Sequence, residues 1–166
     1  MAPLLREGQA TGRGWGGCVG EGARVMTTTS YTRSVHIDAP VETVFAYVKD
    51  PRHVYDAVWT AEKPGIADVR LAHDAGVGSS WTWMNHVLFI HLQGTMTRQE
   101  YVANERIVDS SSTGTTTFSV EPDAKGARLS LQIQMSSKVP FLDRAMTLSP
   151  GHLDTMLANL KRAIEA

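Results

Sequence analysis

Arg98, Glu100 and Arg106 are the residues of this chain whose chemistry could act on a bound molecule. With Asn85 they fall on the same phase of their strand-like segments as the core-facing apolar residues. A buried polar group without a partner costs about 1–3 kcal/mol, so polar side chains on that phase call for a reason. An inward arginine can stabilise an enolate or a carboxylate, and the Glu100 carboxyl can act as acid or base. The plainer alternative is that Arg98 and Glu100, two residues apart on one strand face, pair with each other at a rim. A second set is aromatic. Trp81 and Trp83 share one strand face, and Trp59 sits where a short helix leads into the sheet. Three indoles near one cavity would give a stacking surface for rings or acyl chains, each with an N–H to position a polar atom. Indoles also fill cores and dimer faces. Tyr47 and Tyr55 lie on two short helices, where a hydroxyl can donate at a pocket mouth or simply face solvent.

Other chemistries lack their residues. The six histidines form no HxH, HExxH or Cys–His cluster, which argues against a metal site. The Gly12-Arg13-Gly14-Trp15-Gly16-Gly17 run follows no strand, so it is not a phosphate loop. Ser79, Ser80 and Ser110-Ser111-Ser112 lack a nucleophile elbow and read as strand-edge or turn residues. No cofactor is expected.

The elements that must position these groups begin with Val35 and Ile37 on one face of a first strand. A helix follows from Pro40 to about Lys49, in which Val41, Val44, Phe45 and Val48 form one apolar stripe. Pro40 suits its first position, Glu42 its positive first turn, and Asp50-Pro51 its stop. A second short helix spans roughly Arg52 to Val58. Val69 and Leu71 then start a meander. Gly76-Val77-Gly78 turns into the strand of Trp81 and Trp83, and the next alternates Ile90, Leu92, Gly94 and Met96 against polar residues. Later strands carry Thr116, Phe118 and Val120, then Leu129, Leu131, Ile133 and Met135, with a hairpin at Asp123-Ala124-Lys125-Gly126. Pro150-Gly151 opens a final helix whose Leu153, Met156, Leu157, Leu160 and Ile164 recur at helical spacing. Phe118, Met96, Leu131, Ile133, Met156 and Leu160 would supply apolar walls, although methionine fills core gaps without implying a ligand.

At 166 residues and 42% hydrophobic content, the chain is expected to form one domain with a core and room for a cavity. Seven of the 14 glycines lie in the first 22 residues, so residues 1–28 are expected to be a disordered tail, with Met26 an alternative start. Residues 29–166 are expected to form the domain. A net charge of −1 without a basic stripe argues against nucleic acid. One cysteine, Cys18, excludes an internal disulfide, and a reducing cytoplasm is the expected compartment. No apolar run is long enough to span a bilayer and no signal-peptide layout opens the chain, so stable membrane insertion is not expected.

The order strand, two short helices, antiparallel meander and long C-terminal helix resembles the START/Bet v 1-like (SRPBCC) superfamily, in its polyketide cyclase/dehydrase and lipid-transport branch. The likeness rests on Ala39-Pro40-Val41-Glu42-Thr43-Val44-Phe45, Asp50-Pro51, Trp59, Gly76-Val77-Gly78, Gly126-Ala127-Arg128-Leu129 and the helix from Gly151 to Ala166. These motifs keep shape rather than perform chemistry. The resemblance implies an α+β helix-grip fold: a curved antiparallel sheet of about seven strands, two short helices and a long C-terminal helix over a cavity. It also implies a hydrophobic or aromatic, lipid- or polyketide-like ligand there, with Trp59, Trp81, Trp83, Asn85, Tyr55, Met96, Phe118 and Met156 as candidate lining. The first functional expectation is a binding module. The second is an aromatase/cyclase-type enzyme on the same ligand, relying on orientation and water exclusion. A protein-interaction module is third, and a homodimer is compatible with each.

Overall fold

The computed structural model describes residues 27–58, 65–87, 90–137 and 150–166. The expected N-terminal tail before residue 27 lies outside the described residues. The elements run β1 (Thr27–Ile37), α1 (Val41–Val48), α2 (Pro51–Val58), β2 (Ile66–Arg70), a 3-10 turn (His73–Ala75), β3 (Ser80–Val87), β4 (Ile90–Val102), β5 (Arg106–Ser110), β6 (Gly114–Asp123), β7 (Gly126–Ser137) and α3 (Pro150–Ile164).

Seven strands form one antiparallel sheet in the order β1-β7-β6-β5-β4-β3-β2. Every neighbour is a sequential hairpin except β1, which returns the first strand to the last. The helices gather on one face. Helix α3 packs along β1 and against α2, and α1 lies over β6 and β7. This is the expected helix-grip arrangement.

Local chemistry accounts for the element ends. Pro40 sits one position earlier than its expected place, before the helix, where its carbonyl accepts the Thr43 and Val44 N–H groups. Asp50 both ends α1 and opens α2: its Oδ1 accepts the Arg52 backbone N–H at 2.9 Å, so Pro51 takes the first helical position, where its missing N–H costs nothing. The β6–β7 hairpin closes as expected with Asp123 opposite Gly126. Gly126 is required by close approach, because a Cβ there would stand 2.1 Å from the Ile37 carbonyl oxygen.

The core joins the β5–β7 half of the sheet to the helices. Val44, Phe45 and Val48 of α1 meet Ile107, Phe118, Val120, Leu129 and Leu131 of the sheet and Leu153, Leu157 and Leu160 of α3. The alternation read in β6, β7 and α3 is thus the burial pattern. β5 is the short strand between β4 and β6 that carries Arg106. It supplies Ile107 and Asp109 to the concave side, with Arg106 and Val108 turned away from it.

Candidate functional site

A pocket of about 210 Å³ opens beside this core, between the concave sheet face and the helices. Val48, Pro51, Val54 and Tyr55 line it from the α1–α2 junction, Trp81 and Trp83 from β3, and Met96 and Arg98 from β4. Asp109, Phe118 and Ile133 come from β5, β6 and β7, and α3 adds Met156. The β5–β6 turn supplies the uncharged Ser111 and Thr113, and β6 the uncharged Thr116; Thr115 and Gln134 border the pocket from the alternate phase of β6 and β7.

Six of the residues expected in the lining therefore meet around one space: Tyr55, Trp81, Trp83, Met96, Phe118 and Met156. Trp59 and the side chain of Asn85 lie outside the described residues. Leu131 and Leu160, expected as walls, are fully buried in the core instead. Strand alternation explains the first group. Trp81 and Trp83 are two apart and stand opposite Met96 and Gly94. Gly94 leaves room for a ring, since a Cβ on it would meet the Trp83 indole at 2.8 Å.

The charged candidates divide. Arg98 is 1% exposed and Asp109, its cross-strand partner, is 3% exposed. Arg98 donates from Nε to Asp109 Oδ1 at 2.8 Å and from Nη2 to Oδ2 at 3.2 Å. Its Nη1 donates to the Lys49 carbonyl at 2.8 Å and the Ala75 carbonyl at 2.6 Å. The Trp81 ring stacks with its centroid 5.6 Å from the guanidinium carbon. One side chain thus ties β4 to β5, to the end of α1 and to the 3-10 turn. Backbone bonds from Arg98 N–H to the Ser79 carbonyl and from Gly78 N–H to the Arg98 carbonyl fix its strand beside that turn.

Glu100 and Arg106 do not join it. The β4–β5 register shifts between Arg98 and Glu100, a β-bulge, so the two-residue spacing that should keep them on one face instead puts them on opposite faces. Glu100 and Arg106 are paired with each other on the convex side, Arg106 Nε donating to Glu100 Oε1 at 2.9 Å, with both side chains substantially in solvent. The expected inward position of both, and the expected Arg98–Glu100 pairing, are corrected accordingly.

Asp109 is the residue that sequence reasoning missed. Burial pushes its carboxyl above the usual range, an effect that outweighs the opposing hydrogen bonds and charge of Arg98. The signal was the Ile107–Asp109 alternation of β5, which places a carboxylate on an apolar face directly across from an arginine. Tyr55 has its hydroxyl pushed up to about 12, chiefly by burial; the Trp81 indole opposes the shift and the charge of Asp109 adds to it. The Trp81 Nε1 is buried, and its hydrogen-bonding interaction with the Tyr55 hydroxyl is what opposes the shift. Tyr47, the other helix tyrosine, stacks at a tilt on His53, ring centroids 5.1 Å apart. Among the described residues no group of three or more His, Cys, Asp or Glu side chains could hold a metal ion.

Residues 28–165 match the family described as polyketide cyclase/dehydrase and lipid transport. The chain belongs to this family. Solved structures share this fold at low identity. The solution structure of the KanY protein is 19% identical, with a TM-score of 0.67, over 85% of this chain and all of that one. A crystal structure from Thermus thermophilus is 17% identical, TM-score 0.64, over 83% of this chain and 97% of that one. An uncharacterised protein of Rhizobium leguminosarum is 16% identical, TM-score 0.59, over 84% and 96% of the two chains. At these identities the likeness is one of fold. No curated protein sequence matches the chain significantly. Among the described residues no helix is long and apolar enough to cross a membrane.

Proposed function

We propose that the protein binds a hydrophobic or aromatic small molecule, lipid- or polyketide-like, in the pocket between the sheet and α2 and α3. The observation that carries this reading is the convergence of two indoles, Trp81 and Trp83, with Val54, Phe118, Ile133 and Met156 on one space beside a complete core. Apolar lining with a few convergent polar groups is the ordinary composition of a small-molecule site. Membership of a family named for cyclases, dehydrases and lipid transport agrees with such a ligand.

Trp83 provides the test. It is half-buried, outside the main core, and its ring borders the pocket. Trp83→Ala should weaken binding of an aromatic probe such as 2-naphthylmethanol about tenfold in calorimetric titration and cost under about 2 kcal/mol in urea unfolding, less than full removal of a core aromatic. A large stability loss with unchanged binding would assign the ring to the core and remove the reading's support.

A second reading, a cyclase- or dehydratase-type enzyme acting on the same ligand, has one observation in its favour. Tyr55 borders the pocket, and burial pushes its hydroxyl up to about 12, the condition for holding a proton in an apolar site. Single-turnover conversion of a poly-β-ketone thioester, lost in Tyr55→Phe while binding persists, is the result expected for it.

A further inference from the structure

Resting on the binding reading above, we propose that the pocket selects uncharged ligands: a ring-bearing molecule whose oxygens are hydroxyl or carbonyl groups, and not a fatty acid or other carboxylate. The argument concerns charge rather than shape. Among the described lining residues only Arg98 and Asp109 carry formal charge, and they neutralise each other through two hydrogen bonds.

Nor does Arg98 keep a pair of donors for a second carboxylate. Four of the five N–H groups of a guanidinium are committed here, two to Asp109 and one each to the Lys49 and Ala75 carbonyls, and the Trp81 ring covers its plane. Asp109 in turn faces its own arginine across the β4–β5 ladder, which leaves a ligand cation to compete with a bidentate partner. A ligand ion entering this space would shed its water without meeting a counter-charge, and burial without compensation is what disfavours ions most strongly.

What the pocket does offer is dipolar. Ser111 and Thr113 of the β5–β6 turn and Thr116 of β6 bring hydroxyls to the lining, and each can both donate and accept. Beside them Val54, Phe118, Ile133 and Met156 make an apolar surface with no strong hydrogen-bonding side chain. A ligand with an apolar ring body and an uncharged oxygen at one end matches both.

The test uses one ring system in three charge states: 2-naphthylmethanol, 2-naphthoate and 2-naphthylmethylammonium, titrated calorimetrically into the full chain at pH 7. The alcohol should bind at least tenfold more tightly than either ion. A carboxylate that binds as tightly as the alcohol overturns this inference while leaving the binding reading intact; failure of all three to bind overturns both. Two variants read the cause. Asp109→Asn leaves Arg98 uncompensated and should shift the preference at least tenfold towards 2-naphthoate. Thr113→Lys, at an exposed turn position that leaves the buried pair untouched, should shift it in the same direction by a smaller factor. Unchanged preference in a folded Asp109→Asn protein would show that the pair does not set the selectivity.

Discussion

Arg98 presents its donors to a part of the fold that holds two chain carbonyls and one buried carboxylate, and each is there because a different element ends nearby. Removing either member of such a pair strands the other in a medium of low dielectric, which costs about 3–5 kcal/mol. Arg98→Met should therefore lower stability by about that amount in urea unfolding, and Asp109→Asn by a comparable or smaller amount because a neutral amide still accepts a hydrogen bond. The double variant Arg98→Met/Asp109→Leu should lose less than the sum of the single losses. It should not return to the parent value, since the Lys49 and Ala75 carbonyls remain without their donor. Strict additivity of the two losses would show that the residues do not act as a unit. Glu100→Gln and Arg106→Gln, at the exposed convex pair, should each change stability by less than about 1 kcal/mol.

At the scale of elements, one register irregularity decides which residues share the pocket. The bulge after Arg98 turns Glu100 outward and turns Tyr101 inward, where its ring meets Phe45 edge-on at 5.5 Å and its hydroxyl donates to Asp74. Without it Glu100 would stand on the concave face beside Arg98 and compete with Asp109. The β3–β4 ladder shows the converse, regular pairing in which an absent side chain matters. Gly94 faces Trp83, and the indole occupies the space a Cβ would take. Gly94→Ala should push the indole off this seat. Its emission maximum should shift, and affinity for 2-naphthylmethanol should fall several-fold, at a stability cost of about 1–3 kcal/mol, the usual range for overpacking. An unshifted indole spectrum with unchanged affinity would mean that Trp83 does not depend on Gly94 for its position.

For the whole molecule, the hydrophobic periodicities carried the fold because burial follows them: the stripes of α1 and α3 and the alternation of β6 and β7 are the core contacts. The site was only half legible, because alternation predicts a face and cannot show a bulge or a partner across a ladder. Arg98 was legible as an inward arginine, whereas Asp109 became visible only once β5 was paired with β4. The surface charges missing from that reading set the last prediction, the response of stability to pH. His36 ties the end of edge strand β1 to the β6–β7 hairpin and to α3: Nε2 lies 2.9 Å from Asp38 Oδ1 and Nδ1 lies 3.3 Å from Asp123 Oδ2, while its carbonyl accepts from Lys161 of α3. Those carboxylates raise its pKa above 6.5, so its contribution is fully present below pH 6.5 and disappears as pH rises through the higher folded value. Asp50, Asp74, Asp123 and Glu165 are held low, chiefly by hydrogen bonds from Arg52, Lys49, Arg128 and Lys161; their contribution is present above their ordinary values of 3.8 to 4.5 and is lost on acidification through the folded values. Asp109 runs the other way. Its raised value makes its charge a penalty that acid relieves, which softens the loss on the acid side. Stability should therefore peak between about pH 4.5 and 6.5 and decline on both sides. His36→Asn should abolish the decline above pH 6.5 and leave most of the acid limb in place, as followed by thermal unfolding across pH 2 to 8. An undiminished alkaline decline in that variant would place its origin in another group.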